Sequence, residues 1–244
     1  MKLSLIVTYR QRQAHLKTQI TWWRKQFEQG IFQHCEVLLI EVDEQPSLEV
    51  ENLIADLPIQ YIHCHCPGIF HKTKALNLGL SIAKGQWIAP FDVDLIPVGN
   101  TLLRQLELAI QSPKLLVTGY RLMSPLETLD IDTITATLED CTIAPEDMPT
   151  ALWKHLICKE KFGVVPFFRR EHLNQIGGWN ERFVGWGAED QDLIERYLQS
   201  GYALCRCPEL TYIHLFHNRE PQWSESSLVD ENRNYYYRKV HNNF

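Results

Sequence analysis

"WIAPFDVDLIP", residues 87–97, begins as a buried strand and ends on two aspartates, Asp92 and Asp94. A carboxylate taken out of water without a partner loses its hydration, and two so close also repel. The pair asks for a cation. Working outward, this strand is the fourth of a series. "LSLIVT" (3–8) is continuous and apolar, as a strand buried on both faces is. A helical stretch over 11–29 repeats Leu16, Ile20, Trp23 and Phe27 at helix spacing. "CEVLLIEVDE" (35–44) is a second strand ending in acids, 48–56 a helix, and "IQYIHC" (59–64) a third strand. "HKTKALNLGLSIAKG" (71–85) reads as a helix closed by Gly85. The alternation predicts an α/β fold, a mostly parallel central sheet with helices on both faces. Such sheets bind ligands beyond the carboxyl ends of their strands, which puts residues 8–12, 43–44 and 92–94 on one rim.

The chain has 244 residues and a net charge of −6, so a general affinity for nucleic acid or an anionic membrane is not favoured. Seven cysteines, an odd number, fit reduced thiols better than a disulfide framework. "HCHC" (63–66) looks metal-like, but period-two alternation points its side chains to opposite faces, as in an ordinary strand. No apolar run approaches the roughly 20 residues of a membrane span. The first residues already read as structure, so a cytoplasmic protein is expected, with peripheral association with a membrane as the alternative. Residues 120–160 are acidic and broken by prolines; a surface excursion and an acceptor-shaping insertion both fit. From 161 onward "FGVVPFFRREHLNQIGGWN" gives a strand, a short helix from about Arg170 and a glycine turn. No repeat or low-complexity linker divides the chain, and one domain over 1–244 is expected.

Three clusters carry the chemistry. Asp92 and Asp94, two apart at a strand end, share a face and can reach one cation or its hydration shell. His214 and His217 lie three apart, converging in a turn but diverging in an extended strand. With Asp94 they make a credible divalent-metal set, whose mixed nitrogen and oxygen ligands suit Mn²⁺ better than Mg²⁺. In "GWGAEDQDLIERYLQSG" (185–201), Leu193, Ile194, Tyr197 and Leu198 form a helical stripe, and Glu189, Asp190 and Asp192 occupy its first turn. Stability alone explains acids there. The glycines around Trp186 point instead to a backbone that moves and an aromatic face that packs on a ligand. Arg10, Arg12, Lys72 and Lys74 beside the predicted strand ends are either solvated cations or phosphate partners.

"VTYRQRQAHL", "FHKTKALNLG", "FDVDLIP", "GGWNERFVGWGAEDQDL" and "HLFHNRE" occur in the order seen in β-1,4-galactosyltransferases. The chain also resembles glycosyltransferase family 2 and the chondroitin-polymerase-type transferases. The resemblance implies a GT-A fold, a single Rossmann-like nucleotide-sugar-binding domain, with residues 1–97 as the nucleotide half and 98–244 as the acceptor and metal-completing half. It implies a UDP-sugar donor, a glycan or glycoconjugate acceptor, inverting transfer of a hexose and Mn²⁺, with Mg²⁺ as the alternative ion. Galactose or N-acetylgalactosamine is favoured over glucose or N-acetylglucosamine. Residue by residue, it implies that Thr8, Tyr9, Arg10 and Arg12 hold the diphosphate, Asp43 meets the uracil, Phe70 stacks on the base and Lys72 lies nearby. Asp92 then faces donor ribose or sugar and Asp94 binds metal, completed by His214 and His217 where the galactosyltransferases have a methionine and a histidine. Asp190 matches the catalytic base, Glu189 an acceptor contact, and Trp186 the mobile loop that closes over donor and acceptor. A nucleotidyltransferase would need a glycine-rich phosphate loop that "VTYRQRQAH" lacks, and a non-catalytic sugar-binding relative is expected to have lost the base or the metal ligands.

Overall fold

Along the first strand, β1 (Leu3–Tyr9), alternate side chains enter different layers, as the pleat requires. Leu3, Leu5 and Val7 pack on one face and Ile6 on the other. The computed structural model describes residues 2–134, 136–218 and 226–241. Its elements follow as α1 (Gln13–Glu28), β2 (Cys35–Asp43), α2 (Leu48–Ile54), β3 (Ile59–His65), α3 (Lys72–Ile82), β4 (Trp87–Asp92), β5 (Leu95–Pro97), α4 (Thr101–Gln111) and β6 (Leu115–Met123). Then come β7 (Thr142–Ile143), α5 (Leu152–Leu156), β8 (Phe168–Arg169), α6 (Arg170–Gln175), α7 (Glu189–Leu198), β9 (Ala203–His214) and α8 (Ser226–His241).

The main sheet runs β3-β2-β1-β4-β8, parallel through its first four strands, with β8 antiparallel at the edge. Leu16, Ile20 and Trp23 of α1, with Val50 and Ile54 of α2, cover one face against Val37 and Leu39. Leu76 and Leu80 of α3, with Leu193, Ile194 and Tyr197 of α7, cover the other against Leu38, Ile40 and Val42. Each such side chain withdrawn from water contributes roughly 1.5–3 kcal/mol. The α/β expectation therefore holds, with helices on both faces.

A second sheet, β5-β9-β6-β7, packs beside the first; β6 and β9 are parallel and the two outer pairings antiparallel. Strands from both halves of the chain are exchanged: β8 joins the main sheet and β5 the second. The acidic stretch between β6 and α6 carries β7 at a sheet edge, short 3-10 turns and α5, and its Leu129 and Ile131 join the core.

Gly85 does not close α3, which ends at Ile82. It is glycine because the chain there presses on β1: a Cβ would stand 2.5 Å from the Ser4 nitrogen. Its own N–H donates to Ser4 Oγ at 2.8 Å.

Candidate active site

The two aspartates do not share a strand face as the spacing had implied. β4 stops at Asp92, and Val93 and Asp94 turn the chain into β5, which belongs to the other sheet. The turn buries the Asp94 carboxylate and leaves that of Asp92 39% exposed. Gln19, fully buried on α1, holds it there, its Nε2 donating to the Asp92 carbonyl at 3.0 Å and the Leu95 carbonyl at 3.1 Å. Pairing of Leu95 with His214 then delivers Asp94 to the end of β9.

Beyond His214 the chain leaves its extended path, so the two imidazoles converge as a turn allows, their ring centroids 5.1 Å apart. His214 Nε2 lies 3.7 Å from Asp94 Oδ1 and His217 Nε2 lies 3.3 Å from Asp94 Oδ2. One ligand atom from each of the three falls within 4.8 Å of the others. Asp94 Oδ1 is buried without a hydrogen-bond partner, an arrangement that costs free energy unless a cation is supplied. His217 Nδ1 is 2.9 Å from the Asn218 carbonyl and 3.3 Å from Arg12 Nη2. The carbonyl is nearer and can only accept, so we assign the proton to Nδ1, which leaves the Nε2 lone pair aimed at Asp94.

The guanidinium of Arg12 pairs with Asp94 Oδ2. Burial works against the Asp94 carboxylate, but the His214 ring, Arg12 and the His217 ring together hold its pKa below the usual range. Burial also pushes the His214 ring below its ordinary value, against the pull of the Asp94 carboxylate. A carboxylate with two imidazoles fits a divalent ion of mixed nitrogen and oxygen preference.

The second corner is built on Lys72 at the start of α3. Its Nζ lies 3.1 Å from Asp92 Oδ1 and 3.7 Å from both Glu189 Oε1 and Asp190 Oδ2. Burial alone disfavours the ammonium, yet Asp190, Asp92 and Glu189 outweigh it and raise the Lys72 pKa. The two acids of α7 part company. Glu189 is buried, and its carboxyl is pushed up to about 7 by burial and by the Asp190 charge, against the pull of Lys72. Its Oε2 accepts from the Gly187 N–H at 2.9 Å. Asp190 is half-exposed, facing both the Lys72 ammonium and the positive end of α7. Asp192, the third acid, is buried and paired with Arg196 at 2.8 Å and Lys239 at 2.6 Å, the stabilising role that acids at a helix start commonly have.

The remaining rim residues fall into place around these corners. Thr8 lies opposite Asp92 in the β1–β4 register, while the Tyr9 side chain packs into the core. Arg10 is buried, donating to the Gly68 carbonyl at 2.6 Å and standing 3.6 Å from Asp43 Oδ1. Gln11 Nε2 donates to Asp43 Oδ2 at 2.7 Å. Of the four cations, only Lys74 is solvent-exposed. Phe70 is half-buried and its carbonyl accepts from the Gly185 N–H at 3.0 Å, tying it to the loop that presents the half-exposed Trp186. In "HCHC", His63 and His65 bond the main chain at Asp43 and Glu44, each at 2.9 Å, as ordinary strand residues do.

Two buried residues of this region escaped the sequence reading. Gln19 is one. His15 is the other, its Nε2 2.9 Å from the Phe216 carbonyl and its ring 6.0 Å from that of His217. The signal for both was a polar side chain beside the apolar stripe of α1.

Comparison with known proteins matches this architecture. The model of glycosyl transferase family 2 covers residues 4–176, well over half of the chain. The chain belongs to glycosyltransferase family 2. Its two sheets, the main one mostly parallel, form the GT-A fold. A second model, described as the N-terminal domain of galactosyltransferase, matches this family 2 protein over residues 152–218, the stretch with Trp186, Asp190 and both histidines. It is similar to beta-1,4-galactosyltransferase 7 of Drosophila melanogaster, 25% identical over 158 residues, covering 62% of this chain and 39% of that protein. Chondroitin sulfate N-acetylgalactosaminyltransferase 1 of Mus musculus and of Homo sapiens is 36% identical over 58 residues, 24% of this chain and 11% of theirs. The chain thus spans well under half the length of the curated relatives it matches. Arg219 and Glu220 of the "HLFHNRE" motif lie outside the described residues. No helix among the described residues is long and apolar enough to cross a membrane.

Proposed function

We propose that this glycosyltransferase moves a hexose from a UDP-sugar to a hydroxyl of a glycan or glycoconjugate acceptor, with inversion and with a divalent metal, Mn²⁺ before Mg²⁺. The observation that carries the reading is the convergence of Asp94, His214 and His217 on a buried, partnerless carboxylate oxygen. It lies at the same strand-end rim as the cluster of Lys72, Asp92 and Asp190. Galactose or N-acetylgalactosamine is the favoured cargo, in line with the names of the relatives, and glucose or N-acetylglucosamine the alternative.

Asp94, His214 and His217 would hold the ion. When bound there it supplies Lewis-acid charge for the departing diphosphate. Arg10 and Arg12 add fixed positive charge to the same rim, and Asp43 is set to meet the uracil, with Thr8 and Tyr9 beneath the diphosphate and Phe70 on the base. Asp190 takes the proton of the acceptor hydroxyl as its oxygen attacks the anomeric carbon from the face opposite the diphosphate. The bond to the acceptor oxygen forms, the bond to the phosphate oxygen breaks, and the electron pair leaves with UDP. Such a base contributes roughly 10²–10⁴-fold. Asp92 orients the donor from its contact with Lys72, and Glu189, buried beside Asp190, orients the acceptor side. Trp186 covers the reacting sugars and excludes water. In this reading residues 1–97 serve the nucleotide and 98–244 complete the metal and acceptor sites, in a reducing, cytoplasmic setting where all seven cysteines stay free.

A panel of UDP-sugars with Mn²⁺ and simple glycoside acceptors tests this. Transfer from UDP-galactose or UDP-N-acetylgalactosamine is expected, giving product of inverted anomeric configuration. Absence of transfer and of metal-stimulated donor hydrolysis across the panel overturns it.

A further inference from the structure

The C-terminal helix α8 lies beyond both matched segments, and the mechanism above gives it no part. Val229, Asn232, Arg233, Tyr236 and Lys239 fall at i, i+3, i+4, i+7 and i+10 along it, and therefore share one face. That face is laid along residues 183–192. Val229 backs Gly187, 3.4 Å from where a Cβ would stand. Buried Asn232 uses its amide twice, donating to the Val184 carbonyl at 2.9 Å and to the Trp186 carbonyl at 3.1 Å. The Arg233 guanidinium lies 5.8 Å from the Trp186 ring centre. Tyr236 packs with Phe183 and Ala188, and Lys239 reaches Asp192.

The segment it grips has an unusual backbone. Gly185, Gly187 and Ala188 all carry positive φ, at 72°, 119° and 63°. Ala188 has a Cβ that disfavours this region, so the kink persists only where surrounding contacts impose it. The Trp186 ring is 50% exposed, so close packing does not fix its direction. Its direction comes from the backbone of residues 184–187, where one side-chain amide bonds the carbonyls of the Val184–Gly185 and Trp186–Gly187 peptides.

We propose that α8 sets the Trp186 loop, with Asn232 as its positioning residue: the two hydrogen bonds hold the indole where it meets the acceptor. The inference rests on the reading of Trp186 as a ligand-facing residue. Its tests are amide hydrogen exchange at residues 184–188 in the full chain and steady-state kinetics with a UDP-sugar, Mn²⁺ and a glycoside acceptor. In Asn232→Ala, exchange at these amides is expected to quicken about tenfold, the equivalent of losing one or two net hydrogen bonds. Acceptor KM is expected to rise about tenfold, moving more than kcat, with Mn²⁺ affinity at the wild-type value. Should the alanine variant fail to fold, Asn232→Asp keeps the shape but places an acceptor where the donor stood, and the same quantities are read. Unchanged exchange overturns the proposal, and so does faster exchange with unchanged acceptor KM, which would leave α8 a purely structural brace. If the wild-type chain transfers no sugar, the proposed function falls on its own, and the exchange measurement alone decides whether Asn232 sets the loop.

Discussion

Lys72 Nζ and Asp92 Oδ1 are 3.1 Å apart, and the same ammonium faces Glu189 and Asp190. One cation thus reconciles three carboxylates that reach it from two different elements. Lys72→Met is expected to lower unfolding free energy by about 3 kcal/mol at pH 7, the low end for breaking a buried pair, because Asp92 and Asp190 retain some access to water. The loss should shrink toward pH 4 as the stranded carboxylates take up protons. Urea denaturation at the two pH values measures it, and an equal loss at both would remove Lys72 from this role.

His217→Ala takes one nitrogen from the cluster around Asp94 while leaving His214 in β9. Binding of Mn²⁺ alone, followed by the electron paramagnetic resonance of the ion, is expected to weaken by more than about tenfold. Wild-type affinity in the variant would place the metal elsewhere.

Asp190→Asn keeps the size of the side chain and removes its basicity. Transfer is expected to fall by roughly 10²–10⁴-fold, with UDP affinity unchanged in calorimetry because Asp190 stands on the acceptor side. Full turnover would exclude it as the base.

The Glu189 carboxyl, at about 7 in the fold against an ordinary 4.5, binds its proton more tightly folded than unfolded. Its protonated form therefore contributes stability that is complete below about pH 4.5 and is lost as pH rises through about 7. Glu189→Gln, which cannot ionise, is expected to gain Tm relative to the wild type as pH goes from 5 to 8. A Tm difference that stays flat across that range would contradict the buried, proton-retaining state.

Much of this was legible in the residues themselves. The continuous runs of β1 and β2 and the stripe of Leu16, Ile20 and Trp23 give strand and helix directly, because their periods are local. The meeting of Asp94 with His214 and His217 was readable because a strand end followed by a turn brings imidazoles three apart together. The second sheet was not, since its register, Leu95 against His214, is a pairing between distant segments that no local pattern records. The same is true of the three acids around Lys72. Gln19 and Asn232 were missed for a related reason: their partners are backbone carbonyls, which every residue owns and no motif marks.

The turn at Val93 and Asp94, which passes the chain from one sheet to the other, also bears on the order of folding. Asp94 meets its histidines only after β9, late in the chain, has paired with β5 and β6. Closing so long a loop is among the slower events in assembling a domain. A nascent chain that has made only the main sheet's first four strands holds an incomplete cluster. The cluster of Asp94, His214 and His217 is thus complete only in chains whose two sheets have docked.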